Sequence, residues 1–519
     1  MNTKEKAVGN ETASTQADIT AQSAAVDTTS SHDLGKTEQK KLLESLEDDP
    51  VLGLPIIIEA TLIKNPQGVN YIRYKKSDET KATRYEAITS PQFKADLTYD
   101  YIQKLKIGNQ PTNGFEADVK VAINILDIIA ARECKAQPIY NRFASVGNTV
   151  YLSLNDDQQR VVEVTANGWK VIDDSPVPFI HPATSLALPE PVRGGNINDL
   201  KNILNVSDDG FIFIVAWLLM VLSGKGPYPV LNLIGQSGSS KTTTAEILRM
   251  LIDAVVNLVI SPPTTVKDLE VIAHNNAVVN LNNMSEIKPN MSDALCRIST
   301  EGGSSKRQLY TDNKENQLDT FRPVIINGIA PIVTRGDLQD RTLFVHIEKI
   351  SKDKRLTKRK IKALFEEKRA GILGSLLDGV VSALKNYDNV HLELSPRMAD
   401  FAHVIVAAAP GMNGLLDKFI EKYEENQNNA IKDSLESYPA AQAIIDILSG
   451  KDSWEGSMTT LLTDLKGLKQ TNYGKLPKSV YQLRSDLAHI EPLLSNQGII
   501  ITHSRTANER KLTLTKKVD

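Results

Sequence analysis

Two cysteines, Cys134 and Cys296, are too few for a disulfide framework in a chain of 519 residues, and neither sits in a metal-ligand spacing. This points to a reducing compartment, and a cytoplasmic location is expected. Long apolar runs are also missing. The longest, Phe211 to Leu222, falls short of the about 20 residues that cross a bilayer and reads as a buried core helix. The polar opening MNTKEKAVGNETASTQ has no apolar h-region, so no secretory signal and no membrane association are expected. The net charge of −3 excludes a chain that coats nucleic acid by bulk positive charge, though not a local basic surface. The eight histidines are scattered, with no two spaced as ligands on one helix turn, so a zinc site is not expected.

What is present divides along the chain. Residues 1–49 are rich in Ser, Thr, Ala, Gln, Glu and Lys and lack aromatics, and are expected to be a disordered tail. Residues 50–188 read as an α+β domain. Ile56–Ile63 and Asn70–Tyr74 are strand-like, and Phe115 to Cys134 carries apolar residues at helical spacing. Thr149–Leu154, Arg160–Val164 and Gly168–Ile172 suggest a meander in which Trp169 is a core anchor. The Pro-rich stretch Pro176 to Pro191 reads as a linker. From 189 to 350, near-continuous apolar runs alternate with helix-like stretches: Val230–Ile234, Val256–Ile260, Ala277–Leu281, Val324–Ile326 and Thr342–Ile347. Runs of that kind are what parallel strands buried on both faces require, so a three-layer α/β domain is expected. Residues 351–448 are helical in pattern, and 449–519 form a last unit.

The most informative segment is Gly235-Gln236-Ser237-Gly238-Ser239-Ser240-Lys241-Thr242, which follows the run Tyr228–Ile234 and precedes the helical Thr243–Ile252. Strand, glycine-rich loop, helix is the context of a phosphate-binding loop. Gly235 and Gly238 permit backbone angles that aim successive N–H groups at an anion, and the helix N-terminus adds partial positive charge. Lys241 can reach the β- and γ-phosphates of ATP, and the Thr242 hydroxyl can ligate Mg²⁺. Ser240 stands where the usual pattern has glycine. Such a loop also needs an acidic group at a neighbouring strand tip. After Ala277–Leu281 that place is taken by Asn282, a neutral amide, so nucleotide binding is better supported than hydrolysis. Asn327, at the end of Pro323–Gly328, is placed to sense a γ-phosphate. Arg335 and Arg341 flank Gly336–Asp340 and suit a finger reaching a neighbouring subunit, or a salt bridge with Asp337 or Asp340.

These segments carry a family resemblance. From about Pro189 the chain resembles ATPases of phages and integrative mobile elements, related to superfamily-three helicases and to the ATPase halves of primase–helicases. The residues concerned are Glu190–Gly195, Gly226–Leu231, Gly235–Thr242, Ser292–Arg297, Gly302-Gly303, Leu309–Asp312, Arg322–Gly328, Asp337–Arg341 and Trp454–Gly456. The resemblance implies a P-loop core of AAA+ type and a homo-hexameric ring working on single-stranded or forked DNA, with a primase or replication initiator as a possible further partner. It also implies Arg341 acting from the neighbour, and a hairpin between Arg297 and Phe321 on which Lys306 and Arg307 touch phosphates. The departure is Asn282, which leaves a non-hydrolysing scaffold or helicase partner open, as well as a regulator working mainly through its C-terminal module.

That module is basic. Between Lys466 and Lys517 stand ten basic residues against three acidic ones. The order helix, loop, Ser479–Ser495 helix, strand, polar turn, strand is that of a winged helix. A recognition helix bearing Tyr481, Gln482, Arg484 and Ser485 would enter a groove, with Arg505, Asn508 and Arg510 on the wing and Lys478 as a further DNA contact.

Overall fold

A computed structural model describes residues 60–75, 83–107, 115–301, 304–307, 315–318, 320–328, 332–351, 353, 355–392, 396–436, 438–468, 475–505 and 510–517. The tail 1–49, Gly302-Gly303, Leu309–Asp312 and the turn Thr506–Asn508 lie outside them.

The first unit is a three-stranded antiparallel sheet, β1 (Thr61–Lys64), β2 (Asn70–Lys75) and β3 (Thr83–Ala87). Helices α1 (Pro91–Ile107) and α2 (Phe115–Glu133) cover it. Its core is Leu62, Ile72, Phe93, Leu97, Val119 and Leu126. The second is an antiparallel meander of β4 (Phe143–Val146), β5 (Thr149–Ser153), β6 (Val161–Thr165) and β7 (Gly168–Ile172). Val150, Leu152, Val162 and Trp169 of this meander join the same core as the central domain. Trp169 is buried, and its indole N–H donates to Asp378 Oδ1 at 2.8 Å.

The stretch Pro176 to Pro191 is not the free linker its prolines suggested. Val177, Phe179 and Leu188 are buried, Tyr140 N donates to Pro178 O while Tyr140 O accepts from Ile180 N, and Leu186 N donates to Ala254 O at 2.8 Å. Proline fixes φ without forbidding apolar neighbours from packing. Arg142, fully buried, bolts this region down by donating to the carbonyls of Ser153, Leu186 and Ala254 and to Ser185 Oγ.

The central domain begins with α3 (Asn198–Ile203) and α4 (Asp208–Leu222). Ser207 caps α4 by accepting from Gly210 N, and twelve of its fifteen residues are buried, as a helix apolar on every side must be. A parallel sheet follows in the order β13-β8-β12-β9, with β8 (Val230–Ile234), β9 (Val279–Met284), β12 (Val324–Gly328) and β13 (Thr342–His346). The run Val256–Ile260 does not become a full strand. Ile260 alone bridges β9 in parallel, donating to Asn280 O and accepting from Asn282 N.

The intervening elements are α5 (Lys241–Ile252), α6 (Val266–His274), α7 (Pro289–Cys296), a hairpin of β10 (Ser304–Arg307) and β11 (Glu315–Leu318), and α8 (Gly336–Gln339). Four helices complete the helical region: α9 (Lys358–Asn386), α10 (Ala399–Ala408), α11 (Phe419–Glu436) and α12 (Pro439–Ile447). The last unit is a sheet ordered β14-β16-β15 with β14 (Ser453–Gly456), β15 (Ile499–Arg505) and β16 (Arg510–Lys516), under α13 (Met458–Gly467) and α14 (Val480–Asn496). Leu461, Leu465, Leu483, Leu487 and Leu514 form its core together with residues of α12. No helix among the described residues is long and apolar enough to cross a membrane.

Candidate functional site

Strand β8 is buried along its whole length, which fixes where the following loop emerges. Gly235, Gln236, Ser237, Gly238, Ser239 and Ser240 form the turn from β8 into α5, with Gln236, Ser237 and Gly238 exposed. Positive φ is needed at Gly238 (79°) and at Ser240 (71°), not at Gly235. Ser240 therefore holds the left-handed conformation that a glycine would adopt freely, at a cost of about 1–2 kcal/mol. Gly235 is required for a different reason. A Cβ there would stand 2.4 Å from Ile347 O and 2.7 Å from Ser239 Oγ, because the chain leaving β13 passes against the loop.

Lys241 opens α5, and its ammonium folds back over the loop, donating to Gly235 O at 2.5 Å and Gln236 O at 2.9 Å. Burial lowers its pKa from the ordinary lysine value. One residue on, Thr242 Oγ1 donates to Asn282 Oδ1 at 2.8 Å. The topology thus brings Asn282, forty residues away, to the mouth of the loop. The adjacent strand adds Asn327, which is buried and accepts from Asn283 N at 2.9 Å through Oδ1. Its Nδ2 is buried with no hydrogen-bond partner, and so is Ser239 Oγ. A buried polar atom without a partner is costly, and each of these two could take an acceptor. Asn283, whose backbone N–H holds Asn327, was not legible as part of the site because its contribution is main-chain.

The fit to an Mg²⁺-bound nucleotide is specific in kind. Thr242 and Asn282 offer neutral oxygens, and no cluster of three or more His, Cys, Asp or Glu that could hold a metal ion occurs among the described residues. That set suits an ion carried mainly by phosphate and water rather than an all-protein cage.

The two arginines sit apart from this centre, each on a carboxylate of its own chain. Arg341 Nη1 donates to Asp337 Oδ1 at 2.5 Å and to Asp337 O at 2.8 Å. Arg335 Nη1 donates to Pro289 O at 2.9 Å and lies 3.2 Å from Asp293 Oδ1. Arg397 also reaches Asp337, at 2.7 Å. Burial pulls the Asp337 carboxyl upward, but Arg341, then Arg397, outweigh it and hold the pKa below the ordinary carboxylate range. Burial pushes the neighbouring Cys296 thiol up to about 11, an inert thiol rather than a nucleophile.

Lys306 and Arg307 lie on a two-stranded antiparallel hairpin, with Ser304 opposite Leu318 and Arg307 opposite Glu315; their side chains lie outside the described residues. Those of Arg505 and Arg510 do too, although the two residues face each other across β15 and β16. Lys478 and Arg484 are exposed, and Tyr481 is 86% exposed on the same helix face. Arg484 lines a groove of about 440 Å³ with Glu491, His503 and Lys511.

Comparison with known proteins places this arrangement. Residues 197–421 match the model of the actinomycete integrative conjugative element replication protein, and residues 440–519 match the C-terminal domain of that protein. Over both stretches the chain matches the conjugative-element replication-protein family. The first match spans the parallel sheet, the loop and α5, and the second spans the basic C-terminal unit. No curated protein matches in sequence. Among solved structures, a helicase titled "SCCmec type IV Cch - active helicase" aligns at 13% identity and TM-score 0.47, over 89% of this chain and 94% of its own. The C-terminal region of NrS-1 aligns at 12% identity and TM-score 0.39, over 92% and 98%.

Proposed function

We propose that this replication protein binds ATP at Gly235–Thr242 and uses it, in a P-loop core of AAA+ type, to act on DNA during replication of a mobile element. The observation that carries this reading is the Thr242–Asn282 hydrogen bond, which joins the helix start after one buried parallel strand to the C-terminal half of another. On this reading the loop N–H groups and the Lys241 ammonium neutralise the phosphates, and the unpartnered Nδ2 of Asn327 donates to the terminal one. Magnesium, when bound, would rest on Thr242 and Asn282 and supply charge neutralisation of the leaving phosphates. Subunits would assemble as a hexameric ring in which Arg341 leaves Asp337 for the neighbour's site, with Asp337 still partnered by Arg397. The hairpin bearing Lys306 and Arg307 would track single-stranded or forked DNA by phosphate contacts. The C-terminal unit would serve as a winged helix, with Lys478, Arg484 and Tyr481 toward DNA and Arg505 and Arg510 on the wing.

A second reading is favoured by one residue. Asn282 cannot carry negative charge or accept a proton, so the chain would bind ATP as a gated scaffold or helicase partner without turning it over. Phosphate release with and without single-stranded DNA, wild type against Lys241→Ala, separates the two. DNA-stimulated release that Lys241→Ala abolishes supports the ATPase. No release by either protein rejects the ATPase and leaves the scaffold.

A further inference from the structure

The chain leaving β13 meets the phosphate-binding loop at Ile347. Ile347 N donates to Ile234 O at 2.7 Å, and Ile347 O lies 2.4 Å from the point where a Cβ on Gly235 would stand. Farther along, Lys358 Nζ, at the start of α9, pairs with the buried Glu246 of α5 at 2.7 Å, so that cation is already spent. Arg355 is different. It is exposed, its Nε donates to Ile350 O at 3.2 Å, and its Nη2 lies 3.6 Å from the point where a Cβ on Gly238 would stand. A guanidinium thus stands over the exposed crest of the loop, on the same chain, while Arg335 and Arg341 are held by Asp293 and Asp337.

We propose that Arg355 is a second cationic contact of the bound polyphosphate, supplied by the same subunit and lying against the loop crest at Gly238. This inference rests on the nucleotide-binding reading of Gly235–Thr242. Its physical basis is that a planar guanidinium donates to two phosphate oxygens at once, and that hydrogen bonds to charged groups are the strong ones.

The test is equilibrium binding of a ribose-labelled fluorescent ATP to the full-length protein with Mg²⁺, across a salt series. Arg355→Ala is expected to weaken binding about tenfold and to flatten the salt dependence, Arg355→Lys to recover part of the loss, and Arg355→Glu to weaken binding beyond Arg355→Ala. A purely structural role would give neither the flattened salt slope nor the charge order. If wild type and Arg355→Ala bind equally, the Arg355 contact is wrong while the nucleotide reading stands. Equal loss in Arg355→Ala and Arg355→Lys with an unchanged salt slope also overturns the contact. If wild type binds no nucleotide, the parent reading fails and this contact with it.

Discussion

Thr242 and Asn282 are joined hydroxyl to amide oxygen at 2.8 Å, linking the first turn of α5 to the C-terminal half of β9. A carboxylate in place of that amide keeps the hydrogen bond and adds a negative charge where a magnesium ion would rest. Asn282→Asp is therefore expected to lower the Mg²⁺ concentration at half-maximal activity and raise phosphate release by about tenfold or more. A Mg²⁺ titration of phosphate release checks this; an unchanged profile would remove Asn282 from the metal's surroundings.

Arg341 is held by its own chain through Asp337. Removing a partly exposed pair of this kind costs at most about 1 kcal/mol of stability. If Arg341 acts on the neighbouring subunit, Arg341→Ala keeps nucleotide affinity and loses about 10³ or more in turnover. Calorimetric affinity and steady-state rates on the same sample separate those two effects. Full activity in Arg341→Ala would leave Arg341 only its ion pair.

Gly195 lies where α9 crosses the segment entering the central domain. A Cβ on Gly195 would stand 1.9 Å from Gly371 O, and one on Gly374 2.0 Å from Val192 O. Backbone meets backbone at both, so no side-chain rotation relieves the clash. Gly195→Ala is expected to destabilise by about 2–3 kcal/mol, read as a lower urea midpoint at unchanged slope.

His181 gives the fold a pH dependence. Burial, with Arg142 and then Arg84 nearby, lowers its pKa from 6.5 to about 3, and its Nε2 lies 2.8 Å from Ser153 Oγ. The unfolded chain then binds a proton that the folded chain refuses between pH 6.5 and 3. Its contribution is complete above pH 6.5 and is lost as the pH falls toward 3. The melting temperature is expected to drop by a few degrees between pH 7.5 and 5, and His181→Gln to shrink that drop. Equal drops in both proteins would place the sensitivity elsewhere.

The parallel strands, the buried helix Phe211–Leu222 and the loop were legible because each rests on a local pattern: continuous apolar runs, or glycine and serine between strand and helix. Asn282 was also legible, because a loop of this kind demands a partner at one strand tip. What was hidden depends on distant chain. The need for glycine at 235 comes from Ile347, more than a hundred residues on, and the positive φ falls at Ser240, where residue type argued against it. The packing of Pro176 to Pro191 follows from Arg142 and Ala254, which no local pattern announces. Arg355 lies in no motif, and its closeness to Gly238 is a tertiary contact that no local pattern announces.

The central claim is that main-chain amides and Lys241 grip a triphosphate. Isothermal titration of ATP with Mg²⁺ into the wild-type protein and Lys241→Ala tests it most directly. The expected result is saturable binding near one ATP per chain, lost in Lys241→Ala. Absence of binding to the wild type, or equal binding by both proteins, would contradict it.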